Sequence, residues 1–183
     1  MPEGVVVDPV LRQRFSFERS TEADGGEVLR VEIWVEAGGG VTPHVHPAME
    51  ERFHVVSGRP SFLSGREWLA AAPGEDVVVP SGARHAYRGS EDVAHIVCEA
   101  RPPSLLQEFL EDAAGLARAG KLTRRALPRS PSALLQAAVM ARDYREMVVL
   151  GFPPMPPRLV SRDPGTSRHP LEGPRPPRGD CMK

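Results

Sequence analysis

Apolar and polar residues alternate with a period of two along the first part of this chain and with a helical period over the next part, and then lose all order. The clearest alternation runs from Val28 to Glu36, with Val31, Ile33 and Val35 on one face and Arg30, Glu32, Trp34 and Glu36 on the other. That pattern predicts a strand with one buried side. Upstream, Val5 to Val7 and Leu11 to Phe17 give two shorter strand-like runs split by Asp8-Pro9, and the acidic TEADGGE makes a turn. Downstream, Phe53 and Val55 point inward while Arg52, His54 and Val56 point outward. Ser61 to Leu63 and Glu67 to Ala71 form a hairpin about Ser64-Gly65, Val77 to Val79 reads as a buried strand, and Val93 to Glu99 is the last β run, closed by Pro102-Pro103.

The period then changes. Ser104, with Gln107 three residues on, fits a capping box, and Leu105, Leu106, Phe109, Leu110, Ala113, Leu116 and Ala117 recur at helical spacing until Gly120. A second helix starts near Ser130-Pro131 and carries Leu134, Leu135, Ala138, Val139 and Ala141 to about Glu146. Two such helices pack on the outside of the β portion or on a partner, with their apolar stripes read as core or interface before ligand groove. Beyond Gly151 the composition is Pro, Arg and Gly without apolar periodicity, which predicts a disordered tail over 151–183 because so little surface can be buried against the ordering entropy.

With 183 residues the chain suits one domain plus extras. A formal net charge of −1 gives no electrostatic footprint for nucleic acid. No apolar run is long enough to cross a membrane and the N-terminus has no signal-peptide pattern, so a cytoplasmic protein with no membrane partner is expected. The two cysteines, Cys98 and Cys181, make neither a CxxC nor a disulfide framework. Cys98 reads as a small buried residue.

The candidate chemistry lies between Gly38 and Gly58. His44 and His46 point the same way on a strand, Glu51 can be brought back over them by a strand turn, and His85 adds a fourth donor after the turn Pro80, Ser81, Gly82. Three imidazoles and one carboxylate leave part of a metal's coordination shell open, which points to a working site. The bland alternative is a set of buried polar groups satisfied by hydrogen bonds, or a site that has lost its metal. His54 points outward, Glu50 faces away from Glu51 and exchanges roles with it only through a bulge, and His95 has no evident partner.

The spacing Gly38, five residues, His44, one, His46, four, Glu51, six, Gly58 resembles the first motif of the cupins, and Gly74, five, Pro80, one, Gly82, two, His85 resembles their second. One departure is Gly89, where the family has an Asn that is not a ligand. The resemblance covers about 25–102. It implies an all-β fold, a cupin double-stranded β-helix (jelly-roll) barrel, preceded by N-terminal strands in 1–24 and followed by the helical extension 103–150 and the tail. It implies one divalent ion, Fe, Mn, Ni, Co or Zn, on His44, His46, Glu51 and His85, with Glu51 also the catalytic residue. Phe53, Tyr87 and Val35 are the expected substrate-binding residues, although Tyr87 serves equally well as barrel filling. The function expected is a small metal-dependent enzyme of the quercetinase-like kind, a dioxygenase or related oxidoreductase or lyase with a small organic substrate. The alternative is a non-catalytic metal- or small-ligand-binding module. A third reading makes residues 5 to 18 and Trp34 the surface of a homodimer.

Overall fold

The computed structural model describes residues 4–64 and 66–150 and the backbone of 161–163. An antiparallel meander opens the chain: β1 (Val6–Asp8), β2 (Gln13–Thr21) and β3 (Glu27–Val35). The barrel continues with β4 (His44–Val45), β5 (Glu50–Ser57), β6 (Ser61–Ser64), β7 (Glu67–Ala70), β8 (Asp76–Val79), β9 (Arg84–His85), β10 (Tyr87–Arg88) and β11 (Ala94–Arg101). Two helices, α1 (Leu106–Arg118) and α2 (Pro131–Asp143), precede the short strands β12 (Val149–Leu150) and β13 (Ser161–Asp163). Among the described residues the sheets have the orders β1-β2-β3-β11-β5-β8-β13, β10-β6-β7 and β12-β4-β9, a jelly-roll barrel. No helix among them is long and apolar enough to cross a membrane.

The alternation read in the sequence becomes rows of side chains across the large sheet. Phe17, Val31, Cys98, Phe53 and Val77 are successive cross-strand partners, as are Phe15, Ile33, Ile96 and Val55. All but Phe17 are at most 5% exposed. Because partners across a ladder share a face, one register places the whole apolar set in the core.

The N-terminal run lies on the barrel edge, with β2 paired to β3 from Gln13 to Thr21. It is longer than its apolar pattern, since Glu18 to Thr21 keep the ladder although their side chains stay in water. The outward face of β3 has partners of its own. Trp34 stacks on His95 at 4.8 Å, the Arg14 guanidinium lies 5.5 Å from its ring, and Glu32 sits 3.5 Å from His95 Nε2. His95 is therefore a stacking partner of Trp34 on this face, with Glu32 beside its ring.

The helices depart from expectation at their starts and ends. Ser104 has φ +47 and makes no cap, and the cap position falls to Leu105 without a side-chain bond. Gln107, the other half of the expected box, instead donates to Glu111 at 2.9 Å and accepts from Arg19 at 3.2 Å. Helix α2 starts as read, with the Ser130 hydroxyl accepting from the Ala133 N–H at 3.2 Å and Pro131 at its first position. It stops at Asp143, because the Tyr144 N–H closes the last turn on Met140 and the Tyr144 carbonyl then receives the N–H groups of Met147 and Val148. The chain is thereby turned back to lay β12 against β4. The expected disordered tail is interrupted by β13, which pairs with β8. Residues 151–160 and 164–183 lie outside the described residues.

Two glycines fix the approach to the site. Gly40 has φ +138, and a Cβ there would overlap the Tyr87 carbonyl oxygen, so the backbone that leads to His44 runs directly against β10. Gly89, where the resemblance calls for Asn, has the Glu36 carbonyl where a Cβ would stand. Its N–H donates to Gly39 at 3.0 Å. Gly89→Asn is therefore expected to destabilise the protein by about 1–3 kcal/mol in thermal or urea unfolding, the usual range for overpacking. An unchanged stability would show that this turn yields freely.

Candidate metal centre

Short strands deliver the donors. β4 and β9 pair so that His44 and His85 are direct cross-strand partners, with ring centroids 4.2 Å apart. His46 follows β4, and its carbonyl accepts from the Gly82 N–H at 2.7 Å, tying the two motifs together. Glu51 is the second residue of β5 and faces inward, only 5% exposed. Glu50 stays outside the cluster, which consists of His44, His46, Glu51 and His85 with one donor atom from each all within 4.8 Å of one another. His54 points away and contacts Asp76 through Nδ1 at 2.7 Å.

Each imidazole is oriented by a backbone carbonyl at its Nδ1. His44 meets Thr42 at 2.9 Å, His46 meets Met147 at 2.8 Å and His85 meets Ala83 at 3.0 Å. A carbonyl only accepts, so each Nδ1 carries the proton and, in the neutral ring, each Nε2 presents a lone pair. Those lone pairs converge. The Nε2 atoms of His44 and His46 are 3.1 Å apart, His46 Nε2 is 3.6 Å from Glu51 Oε1, and His85 Nε2 is 2.7 Å from Glu51 Oε2.

That arrangement is poorly satisfied by protein alone. His85 Nε2 and Glu51 Oε2 are close, yet out of line for a hydrogen bond, and both are buried without a partner. Leaving such an atom unpaired costs about 1–3 kcal/mol. A divalent cation accepted by all four donors removes the cost, so the residues present fit a metal better than they fit a closed hydrogen-bond network.

Electrostatics agree. Burial drives the His44 imidazole well below its ordinary range, helped by His85 and His46, and burial also lowers His46. Burial pushes Glu51 up, but the surrounding imidazoles outweigh it and hold the carboxyl at about 2. For His85 the Glu51 carboxylate likewise outweighs burial and lifts it. Near neutral pH the cluster offers a carboxylate and at least two neutral imidazoles, the forms that ligate metals.

The cluster opens into a cavity of about 440 Å³. Of the residues expected to bind substrate, Phe53 and Tyr87 line it and Val35 does not. Val35 is the last residue of β3 and lies against Gly89, past the end of the chamber, whereas Val31 and Ile33 face the chamber. The Tyr87 hydroxyl is engaged, donating to Gln13 Oε1 at 2.9 Å. Cys98 also lines the cavity, with Sγ 3.7 Å from Glu51 Oε1, and burial pushes its thiol well up, in keeping with an inert small residue.

Much of the wall was missed in the sequence. Phe109 and Leu110 of α1 and Met140 of α2 line the cavity, so the helices cover the mouth of the barrel as well as its outside. On α1 the apolar stripe was the available signal, but a stripe does not say whether it meets core or chamber. On α2 the expected stripe stays in water, with Leu134, Leu135 and Val139 at 60%, 66% and 42% exposed, and Ala137 and Met140 face the cavity instead. Asp8 also lines the cavity at 3% exposure, with Oδ1 accepting from the N–H groups of Val10 and Leu11 at 2.8 and 2.9 Å.

Burial raises the Asp8 carboxyl above its ordinary value of 3.8, offset in part by those two N–H groups. A carboxyl raised on folding destabilises the folded state above its folded pKa, and the penalty fades as pH falls to the unfolded value. Asp8→Asn keeps the acceptor and removes the charge. It is expected to raise Tm at pH 7, with the gain shrinking as pH approaches 3.8, in a pH series of melting curves. A lowered Tm at pH 7 would show that the charge itself is needed for the fold.

Comparison with known proteins bears on the barrel. No curated protein is similar enough to the chain to count as a match. Among solved structures it is similar to KdgF from Halomonas sp., with 20% identity over 52% of this chain and 83% of that one and a TM-score of 0.46. It is also similar to an RmlC-like cupin from Shewanella frigidimarina, with 14% identity over 55% and 85% and a TM-score of 0.45. A third is an HTH_3 family transcriptional regulator from Vibrio cholerae, with 19% identity over 52% and 55% and a TM-score of 0.44. The sequence profile of the family described as Cupin domain matches residues 31–98, the stretch that carries all four donors. With both motifs, the jelly-roll barrel and that match in agreement, residues 31–98 form a cupin domain.

Proposed function

We propose that His44, His46, Glu51 and His85 hold one divalent cation, and that the protein is a metal-dependent enzyme acting on a small organic molecule, a dioxygenase or a related oxidoreductase or lyase. The observation that carries this reading is the convergence of three oriented Nε2 lone pairs and an ionised carboxylate at the inner end of a cavity, with two of the donor atoms left unpaired by the protein. An ion of the Fe, Mn, Ni, Co or Zn class supplies Lewis acidity there, and the redox-active members of that class can also work with O₂.

The chain's own residues do the rest. Glu51, between His46 and His85, is a ligand first, and it accepts a proton from a substrate hydroxyl or acidic C–H only by shifting off the ion. Phe53, whose ring lies 6.5 Å from that of His85, packs against one side of whatever enters. Tyr87, 5.8 Å from Phe53 by ring centroids, extends that wall. The two helices line the outer part of the chamber with apolar side chains, Phe109 and Leu110 from α1 and Met140 from α2.

The test is turnover by protein loaded in turn with each metal of that class, over a panel of phenolic, keto-acid and β-diketone compounds, with O₂ uptake and product both followed. Metal-dependent product from one compound class is expected. Saturable ligand binding with no product under any metal would overturn the enzyme reading and assign a binding module.

A further inference from the structure

Beyond the four ligands the chamber is almost wholly apolar, and its outer wall is not part of the barrel. Phe109, Leu110 and Ala113 of α1 face Ala137 and Met140 of α2 across it. The two helices are fixed to one another. The Phe109 ring meets Tyr144 edge-on at 5.3 Å, and the Tyr144 hydroxyl donates to Asp112 Oδ2 at 2.7 Å. The segment after α2 is then anchored to the site, since Met147 accepts from His46 and β12 pairs with β4. The apolar wall is therefore preformed and joined to the cluster.

The polar groups facing this space are few and mostly engaged. Beyond the cluster and Cys98 they are Tyr87, paired with Gln13, Asp8, one oxygen of which is held by two backbone N–H groups, Thr42, whose carbonyl is taken by His44, and Arg145, whose side chain is 68% exposed. A sugar or nucleotide would bury several hydroxyl or phosphate groups here without partners, which a site of this kind rejects strongly. A hydrocarbon body would instead gain from every carbon it placed under the helices. About 440 Å³ falls within the range of about 300–1,000 Å³ typical of small-molecule sites.

We propose that the substrate is an elongated, largely apolar molecule, an acyl, prenyl or alkyl-substituted compound, with paired oxygens at one end. The oxygen-bearing head meets the cluster and the hydrocarbon tail lies under α1 and α2, so that the helical extension sets the tail length accepted. This rests on the metal-site reading for the head and on the cavity wall alone for the tail.

Two homologous series separate those parts. Straight-chain alkyl hydroxamic acids, from two to ten carbons, chelate metal and carry a tail of chosen length; the matching 1-alkanols carry the tail alone. With Co(II)-loaded full-length protein, hydroxamate affinity is expected to rise about fourfold per added methylene until the chamber is filled, and then to flatten. Ala113→Phe, which narrows the space between the helices, should move the flattening to a shorter tail and leave acetohydroxamate affinity and bound metal unchanged. Ala137→Phe gives the same readout from the opposite helix should Ala113→Phe fail to fold. Affinity independent of tail length, or an equal loss at every length in the narrowed variants, would overturn the proposal. Tail-dependent binding of the alkanols to both wild type and His44→Ala, with no metal retained and no acetohydroxamate binding, would overturn the metal reading while upholding the tail site.

Discussion

His85→Ala is expected to weaken divalent-metal binding by at least about 100-fold, the upper end of what loss of an outer-shell partner alone costs a metal site. Metal titration of the chelator-stripped variant against wild type measures it. His85 is 2% exposed, sits opposite His44 in the β4–β9 pair, and has its Nδ1 fixed by Ala83, so its Nε2 has one direction in which to point. The substitution removes that donor and leaves Glu51 Oε2 with no imidazole at 2.7 Å. Glu50→Gln is the control, because Glu50 precedes Glu51 on the same strand but lies outside the cluster, and it should bind metal as wild type does. Equal affinity in wild type and His85→Ala would place the cation elsewhere.

The second large effect is on stability. Phe53→Ala is expected to cost about 3–5 kcal/mol, the usual range for truncating a buried aromatic. For a protein of this length that lowers Tm by roughly 6–20 °C in calorimetry. Phe53 is 2% exposed and packs against Phe62 at 5.2 Å and Tyr87 at 5.8 Å, in a row that runs through Cys98 and Val77. Alanine there leaves a void continuous with the cavity, so water can enter beside His85, and Phe53→Leu should recover most of the loss by restoring volume. A Tm change below about 2 °C for the alanine variant would mean that the row collapses around the gap.

The cluster of three imidazoles and one carboxylate was legible because the relevant geometry is local. His44 and His46 share a face by strand period, and Glu51 and Glu50 are separated by the same rule, which the structure follows. The rows from β2 to β8 follow for the same reason. Val35 shows where that rule stops: alternation gives the face of a strand, while how far along the strand a chamber extends depends on what caps its end, here Gly89 and the turn after β3. The Nδ1 partner of His46 comes from Met147, 101 residues later, and no local pattern predicts a backbone carbonyl at that range. Ser104 fits the spacing of a capping box, but caps need an extended residue, and the chain leaving Pro103 puts it at φ +47. The role of the helices was hidden for a different reason. The stripe of α1 meets the wall of a chamber where packed side chains were an equal expectation. Leu134, Leu135 and Val139 of α2 stay exposed among the described residues, because the strap from Tyr144 to Leu150 ties α2 to the barrel through Tyr144 and β12 with Ala137 and Met140 turned inward.

Central to all of this is one cation shared by three imidazoles and one carboxylate. X-ray absorption of the protein loaded with one equivalent of Co(II) tests it most directly. The expected spectrum has a first shell of nitrogen and oxygen only, with the outer-shell scattering of three imidazoles. A sulfur scatterer, which would bring in Cys98, or a single imidazole, or failure to retain the ion at all, would contradict it.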